Sequence, residues 1–285
     1  MEFKIRSLSP QESRVVLALA EQGKREVTRA EIVSLLGTSP EAADHIIRSL
    51  RRKGWLERAS WGAYLLVPPD QGPEALGESN VMALASRIAD PYYIGFGTAA
   101  SHYGLTTQHR RVIYLVTPKH IRPQRIHDTE VRVIHLGQRR FFGFSPVDVL
   151  SYPVMMSDRE KTVLDCIDRP SLAGGTGEAA QIFATASRRF DWSKAETYLG
   201  RIGSVSLVRR FGWLADHIGA EMPDGLRERL HRIADRPGVS FFGPRKTSNE
   251  AIGYDPEWRL SANVAPSVLS ESAGLGRTRA AEKDG

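Results

Sequence analysis

The sequence predicts an α+β protein in two parts: a small region of helices and a hairpin, then a larger region with a small sheet and a helical layer. Three observations carry that prediction. Residues 28–52 read as two short helices around a tight turn, and a hairpin pattern follows at once. A proline- and glycine-rich break, Pro68-Pro69-Asp70-Gln71-Gly72-Pro73, interrupts both helix and strand. Beyond it, short apolar runs give way to helical periodicity.

In the first part, Ser9-Pro10 with Glu12 forms an N-cap and first turn, and Val15, Val16, Leu17, Leu19 and Ala20 carry a helix to about Gly23. Val27 is read as a short strand. Thr28 caps a helix with Ile32, Val33, Leu35 and Leu36 at helical intervals, and Gly37 ends it. Ser39-Pro40 then starts a second helix, on which Ala43, Ile47 and Leu50 share one face. Glu41, Asp44, His45, Arg48, Arg51 and Arg52 fall mostly on the other faces. Trp55-Leu56 and Ala63 to Val67 read as strands around Ser60-Trp61-Gly62. Helix, turn, basic helix and hairpin, in that order, are the parts of a winged helix-turn-helix, spanning 7–68. A protein-binding winged helix has the same outline.

Residues 69–73 form the linker, and 74–265 the larger α+β domain. Glu74 to Ile88 reads as a helix. Tyr92 to Phe96, Val112 to Val116, Val131 to Leu136 and Arg140 to Phe144 read as strands, with Thr98 capping a short helix between the first two. Ser157 caps a helix through Ile167. Further helices are expected at 179–186, 192–202, 207–218 and 226–233, and a last strand at 257–264. From Pro266 to Gly285 the residues are small, polar and aperiodic, a disordered tail.

Composition excludes several classes. Over 285 residues, 41% hydrophobic and 25% charged content is that of an ordinary globular protein, and a net charge of +6 favours a polyanionic partner. The lone cysteine, Cys166, excludes an internal disulfide and reads as a core residue. No apolar run has transmembrane length and the start lacks a signal peptide's apolar core, so a cytoplasmic protein is expected.

No catalytic, cofactor or metal constellation is found. His102, His109, His120, His127 and His135 cluster, but none forms an i, i+4 pair. Their neighbours include Arg110, Arg111, Lys119, Arg122, Arg125, Arg132, Arg139 and Arg140, which disfavour a cation. Those arginines suggest instead a basic surface for a polyanion or a solvated loop face. Gly174-Gly175-Thr176-Gly177 lacks the Lys-Ser/Thr ending of a phosphate loop. Asp165 and Asp168 share a helical face beside Arg159, Lys161 and Arg169, which reads as surface ion pairing. Ile94-Gly95-Phe96-Gly97-Thr98 has the strand and glycines of a nucleotidyltransferase site without the paired aspartates. Arg209 and Arg210 border an apolar helical face and join the candidate basic surface.

Taken in order, the winged helix at Thr28 to Leu66, YYIGFGTAASHYGLTTQ, RVIYLVTP, SDREKTVLDCIDRP, VSLVRRFGWLADHIG and YDPEWRLSANV make the chain resemble the AbiEi antitoxins over nearly all of residues 9–264. These are transcriptional regulators of AbiE-type toxin–antitoxin systems. The resemblance implies a winged helix that binds inverted repeats of double-stranded DNA in its own promoter and represses it. It also implies a C-terminal domain that counteracts a nucleotidyltransferase-like toxin, directly or indirectly. Carried over by position, the DNA-binding candidates are Ser39, Glu41, His45, Arg48 and Arg52, with Arg58, Ser60 and Trp61 in the wing. The resemblance assigns no toxin-facing residues. A metabolite-responsive winged-helix transcription factor and a nucleic-acid-processing enzyme stay open as alternatives.

Overall fold

The computed structural model describes residues 7–60, 62–67, 79–108, 112–126, 129–149, 152–244 and 251–273. Two compact units divide the chain. The first comprises Met1–Asp90, Arg125–Thr129 and Pro146–Val154; the second comprises Pro91–Gln124, Glu130–Ser145 and Met155–Gly285.

The first unit opens with α1 (Pro10–Glu21), β1 (Glu26–Thr28), α2 (Arg29–Leu36), α3 (Pro40–Arg52), β2 (Leu56–Ser60) and β3 (Ala63–Leu66), and continues to α4 (Ser79–Ala85). The strands form an antiparallel sheet in the order β1-β3-β2, so Val27 completes the winged sheet. Helices and small sheet together are a winged helix-turn-helix. Its core joins Val15, Val16 and Leu19 of α1 and Ile32 of α2 to Ala43, Ile46, Ile47 and Leu50 of α3, closed by Trp55, Leu56 and Leu66.

One ion pair fastens the first helix to the end of the third. Glu12 is almost wholly buried, and one of its oxygens accepts from both Ser9 N and Lys53 Nζ at 2.6 Å. Burial pushes its carboxyl up, but hydrogen bonds from Lys53, Ser49 and Ser9 outweigh that and hold it down to about 2.

The first unit runs on to Asp90 because α4 packs back on the wing. Ala83 and Leu84 cluster with Leu65 of β3, joined by Ile126 and Tyr152. Residues 68–78 lie outside the described ones.

Beyond residue 90 come β4 (Tyr93–Ile94), α5 (Phe96–His102), β5 (Val112–Thr117), β6 (Gln124–Ile126), β7 (Thr129–His135), a 3-10 turn (Gln138–Arg140), β8 (Phe144–Val149) and β9 (Tyr152–Ser157). These strands form one sheet, ordered β6-β7-β5-β4-β9-β8. β4 runs antiparallel to β5 and parallel to β9, and β5 runs parallel to β7. The helical layer follows: α6 (Arg159–Asp168), α7 (Pro170–Ala173), α8 (Thr176–Ser187), α9 (Trp192–Ile202), α10 (Val205–His217) and α11 (Asp224–Ala234). A second small sheet, β10 (Ser240–Phe242), β11 (Gly253–Asp255) and β12 (Leu260–Ala262), has β12 at its centre. The last described element is α12 (Pro266–Ala273).

Several local expectations are corrected. Thr98 does not cap α5, which begins at Phe96. Its hydroxyl instead donates to Val112 O and accepts from Tyr114 N, tying α5 to β5. Asp158, not Ser157, caps α6, because its carboxylate accepts from Lys161 N at 2.9 Å. Ser157 Oγ is buried against Thr162 Oγ1 at 2.7 Å. The strand expected at Arg140 to Phe144 is displaced to Phe144–Val149, since residues 138–140 close a 3-10 turn. The tail is not irregular from Pro266: α12 packs on α8 with Leu269 buried. Residues 274–285 lie outside the described ones.

Asp165 is likewise not a surface acid. It is buried with Lys161, whose Nζ donates to both its oxygens at 2.6 Å. Tyr93 OH bridges the pair, donating to Asp165 and accepting from Lys161 at 3.2 Å. Lys161 Nζ also lies 5.3 Å from the centre of the Phe142 ring. Burial, then the Asp165 charge, pushes the Tyr93 hydroxyl well above its ordinary range.

Tight packing also explains one helical glycine. A Cβ on Gly212 of α10 would stand 2.1 Å from the Trp258 ring. That ring is buried, stacked on His231 at 3.9 Å and held by its Nε1–H donating to Asp216 at 2.8 Å. Gly200 of α9 has open space around it.

Two measurements check these packing arguments. Gly212→Ala is expected to lose about 1–3 kcal/mol in urea unfolding, whereas Gly200→Ala gains about 0.5–1 kcal/mol. Glu12 is lowered on folding, so its contribution is complete above its unfolded value of 4.5 and is lost as pH falls toward about 2. Glu12→Gln should therefore cost on the order of 3 kcal/mol at pH 7. The gap to the natural protein should close as unfolding is repeated from pH 5 down to pH 2; a gap constant over that range would remove the ion pair as its cause.

Candidate nucleic-acid interface

The helix-turn-helix is set by its caps. Thr28 Oγ1 accepts from Glu31 N at 3.2 Å, while Glu31 Oε2 accepts from Thr28 N at 2.8 Å, a reciprocal capping box that starts α2. Gly37 ends α2 with φ at 60°, the left-handed conformation that glycine adopts without steric penalty. Ser39 Oγ then accepts from Ala42 N at 3.3 Å, with Pro40 at the first position of α3. The turn thus holds α3 in one orientation against α2.

With Ala43, Ile46, Ile47 and Leu50 turned into the core, α3 exposes Glu41, His45, Arg48, Arg51 and Arg52. Hydrogen bonds from its own backbone N–H and from Ser39 hold the Glu41 carboxyl below the usual range. Asp44 ion-pairs with Arg29 at 3.1 Å, and Arg48 Nε donates to Asp44 O at 3.2 Å. Among the described residues, Arg48, Arg51 and Arg52 have no carboxylate partner.

In the wing, β2 and β3 pair with a register shift between Arg58 and Ser60, and Arg58 is exposed opposite Tyr64. Trp61 and the Ser60 side chain lie outside the described residues. Arg48, Arg51, Arg52 and Arg58 line a cleft of about 600 Å³ with Arg125 of β6. Glu57 is the carboxylate among its described lining residues, and Leu56, Leu84 and Ile126 are apolar. Sequence reading left Arg51 out of the site and placed Arg125 in a separate basic stretch. Alternation with the apolar Ile126 along a strand was the available signal for Arg125.

Among the described residues, that basic stretch divides among several partners. Arg110 and Arg111 lie outside the described residues, as do His109 and His127. Arg122 is exposed. Arg139 Nε donates to Arg201 O at 3.3 Å, and Arg140 pairs with Asp168 at 2.6 Å. Arg132 forks onto Glu130 at 2.8 and 3.2 Å. His120 and His135 stack at 3.8 Å, and no group of three or more metal-ligating side chains occurs among the described residues.

Arg209 is the clearest correction to the proposed basic surface. It is buried, donating to Ala234 O at 3.0 Å, Ser240 Oγ at 3.2 Å and Arg236 O, so it ties α10 to the α11–β10 connection. Arg210 donates to Phe241 O at 2.7 Å and Asp168 O at 2.9 Å. Burial lowers both guanidinium groups. In the second unit, a cleft of about 720 Å³ lies between Arg169, Leu172, Arg210 and Phe241. No helix among the described residues is long and apolar enough to cross a membrane.

Residues 14–67 match the family model described as a transcriptional regulator, AbiEi antitoxin. No curated protein matches the chain. Among solved structures, the crystal structure of the RV2827C protein from Mycobacterium tuberculosis is similar to it. The likeness covers 95% of this chain and 97% of that one, at a TM-score of 0.64 and 20% identity. At that identity it establishes a shared fold and nothing about activity.

Proposed function

We propose that this chain is a DNA-binding transcriptional regulator and the antitoxin of a toxin–antitoxin pair. In this reading α3 enters the major groove of duplex DNA, at inverted repeats in the protein's own promoter, and represses it. The observation that carries the reading is the division of α3: one face pinned in the core, the other exposing Arg48, Arg51 and Arg52 without a carboxylate partner among the described residues. The regulator family matched by residues 14–67 supports it.

The roles follow from side-chain chemistry. Arg48 offers a guanidinium fork to guanine O6 and N7, and Glu41 an acceptor for cytosine N4. His45 faces the same groove. Ser39, at the N-terminus of α3, contacts a backbone phosphate. Arg52 and Arg58, with Ser60 and Trp61 of the wing, hold the flanking backbone. Neutralisation of a nucleotidyltransferase-like toxin falls to the second unit, and no enzymatic activity is assigned to the chain. The cleft near Arg169 and Phe241 favours a second reading, in which a small molecule seated there adjusts DNA affinity. A ligand screen by thermal shift tests it.

A gel-shift titration against DNA upstream of the protein's own gene, with scrambled competitor, tests the main reading. Arg48→Ala should weaken specific binding by about 1–3 kcal/mol with the fold intact. Affinity should fall linearly on a log–log plot against salt, as counterion release requires. Unchanged affinity in Arg48→Ala removes that residue from the interface, and a flat salt response turns the wing into a protein-binding module.

A further inference from the structure

We infer that the DNA interface is not confined to the N-terminal winged helix, and that Arg125 of β6 completes it as a phosphate clamp. The inference rests on the reading of α3 as the DNA-reading helix. It assigns a function to a residue far along the chain from the wing.

Position is the first argument. Arg125 belongs to the same compact unit as α3 and lines the same cleft as Arg48, Arg51, Arg52 and Arg58. Its place is held by its neighbour. Ile126 packs into the apolar cluster of Leu65, Ala83 and Leu84, beside Tyr152. The Arg87 guanidinium lies 5.7 Å over the Tyr152 ring and forms an ion pair with Glu26 of β1. Anchoring Ile126 holds β6 at the edge of the cleft, and Arg125 beside it is exposed there.

Charge is the second argument. Five arginines converge on a cleft whose described lining includes Glu57 as its carboxylate. A polyanion seated there meets several guanidinium groups at once. The geometry also divides the labour. Residues early in a recognition helix meet base edges, whereas Arg51 and Arg52 end α3, beside Arg58 and Arg125. A major groove is only about 12 Å wide, so side chains at that end meet the sugar–phosphate backbone at its border. Arg125 therefore adds affinity without sequence preference.

The test uses the full chain and titrates operator and scrambled duplexes over a range of salt. Arg125→Ala should weaken binding to both duplexes by the same factor, about three- to tenfold, and reduce the salt slope by about 1. Arg125→Lys should keep the slope, which separates lost charge from a disturbed strand. Arg122→Ala removes an equal charge three residues earlier, outside the cleft, and should leave affinity within about twofold. Two results overturn the inference while leaving the reading of α3 standing: Arg48→Ala weakened with Arg125→Ala unchanged, or Arg122→Ala as damaging as Arg125→Ala. Failure of the natural protein to bind any duplex overturns both.

Discussion

Burial of one face of α3 is the constraint on which the rest of the first unit depends. Ala43, Ile46, Ile47 and Leu50 have no stable position except against α1 and α2. Removing any one leaves a cavity that its close-packed neighbours only partly refill. Because that face is committed, the arginines of α3 are turned outward as a group. The caps at Thr28 and Ser39 and the Glu12–Lys53 bond then fix where the helix starts and where its basic end is held.

How an arginine is partnered separates scaffold from interface more clearly than how many arginines a stretch contains. Arg209 satisfies carbonyls at a turn that would otherwise hold buried acceptors, and Arg140 and Arg210 converge on Asp168. Removing such groups would unfold local structure before it affected any partner. Arg48 makes one local bond, to Asp44 O, and among the described residues Arg48, Arg51 and Arg52 have no carboxylate partner. A guanidinium without a carboxylate partner offers its fork to a phosphate or a base edge.

The second unit is organised around a different device. Lys161, Asp165 and Tyr93 bring a charge pair into the helical layer and satisfy it there, one turn apart on α6. Such a pair adds little net stability over a hydrophobic equivalent, but leaving either partner alone is costly, so it fixes how α6 and β4 register. Near it, Lys194 bridges Asp158 and Glu160 at 3.1 and 3.0 Å, with Tyr198 OH donating to Asp158 at 2.7 Å. The carboxylates of this acid-rich segment are thereby used up in holding helices together.

The winged helix-turn-helix was legible in the sequence because its signals are local: caps at Ser9, Thr28 and Ser39, glycine at 37, and apolar residues at helical spacing all act within a few positions. The α+β character of the remainder was legible for the same reason, through strand and helix periodicity. Tertiary structure alone decided where each charge lies. Asp165 reads as a surface acid and is buried because Lys161 and Tyr93 meet it; Arg209 reads as a surface cation and is buried because carbonyls from a distant turn need it. Arg125 joins the cleft beside α3 because Ile126 finds its apolar partners on α4 and β3. Local periodicity cannot encode such pairings, because their energy comes from groups that only the folded chain brings together.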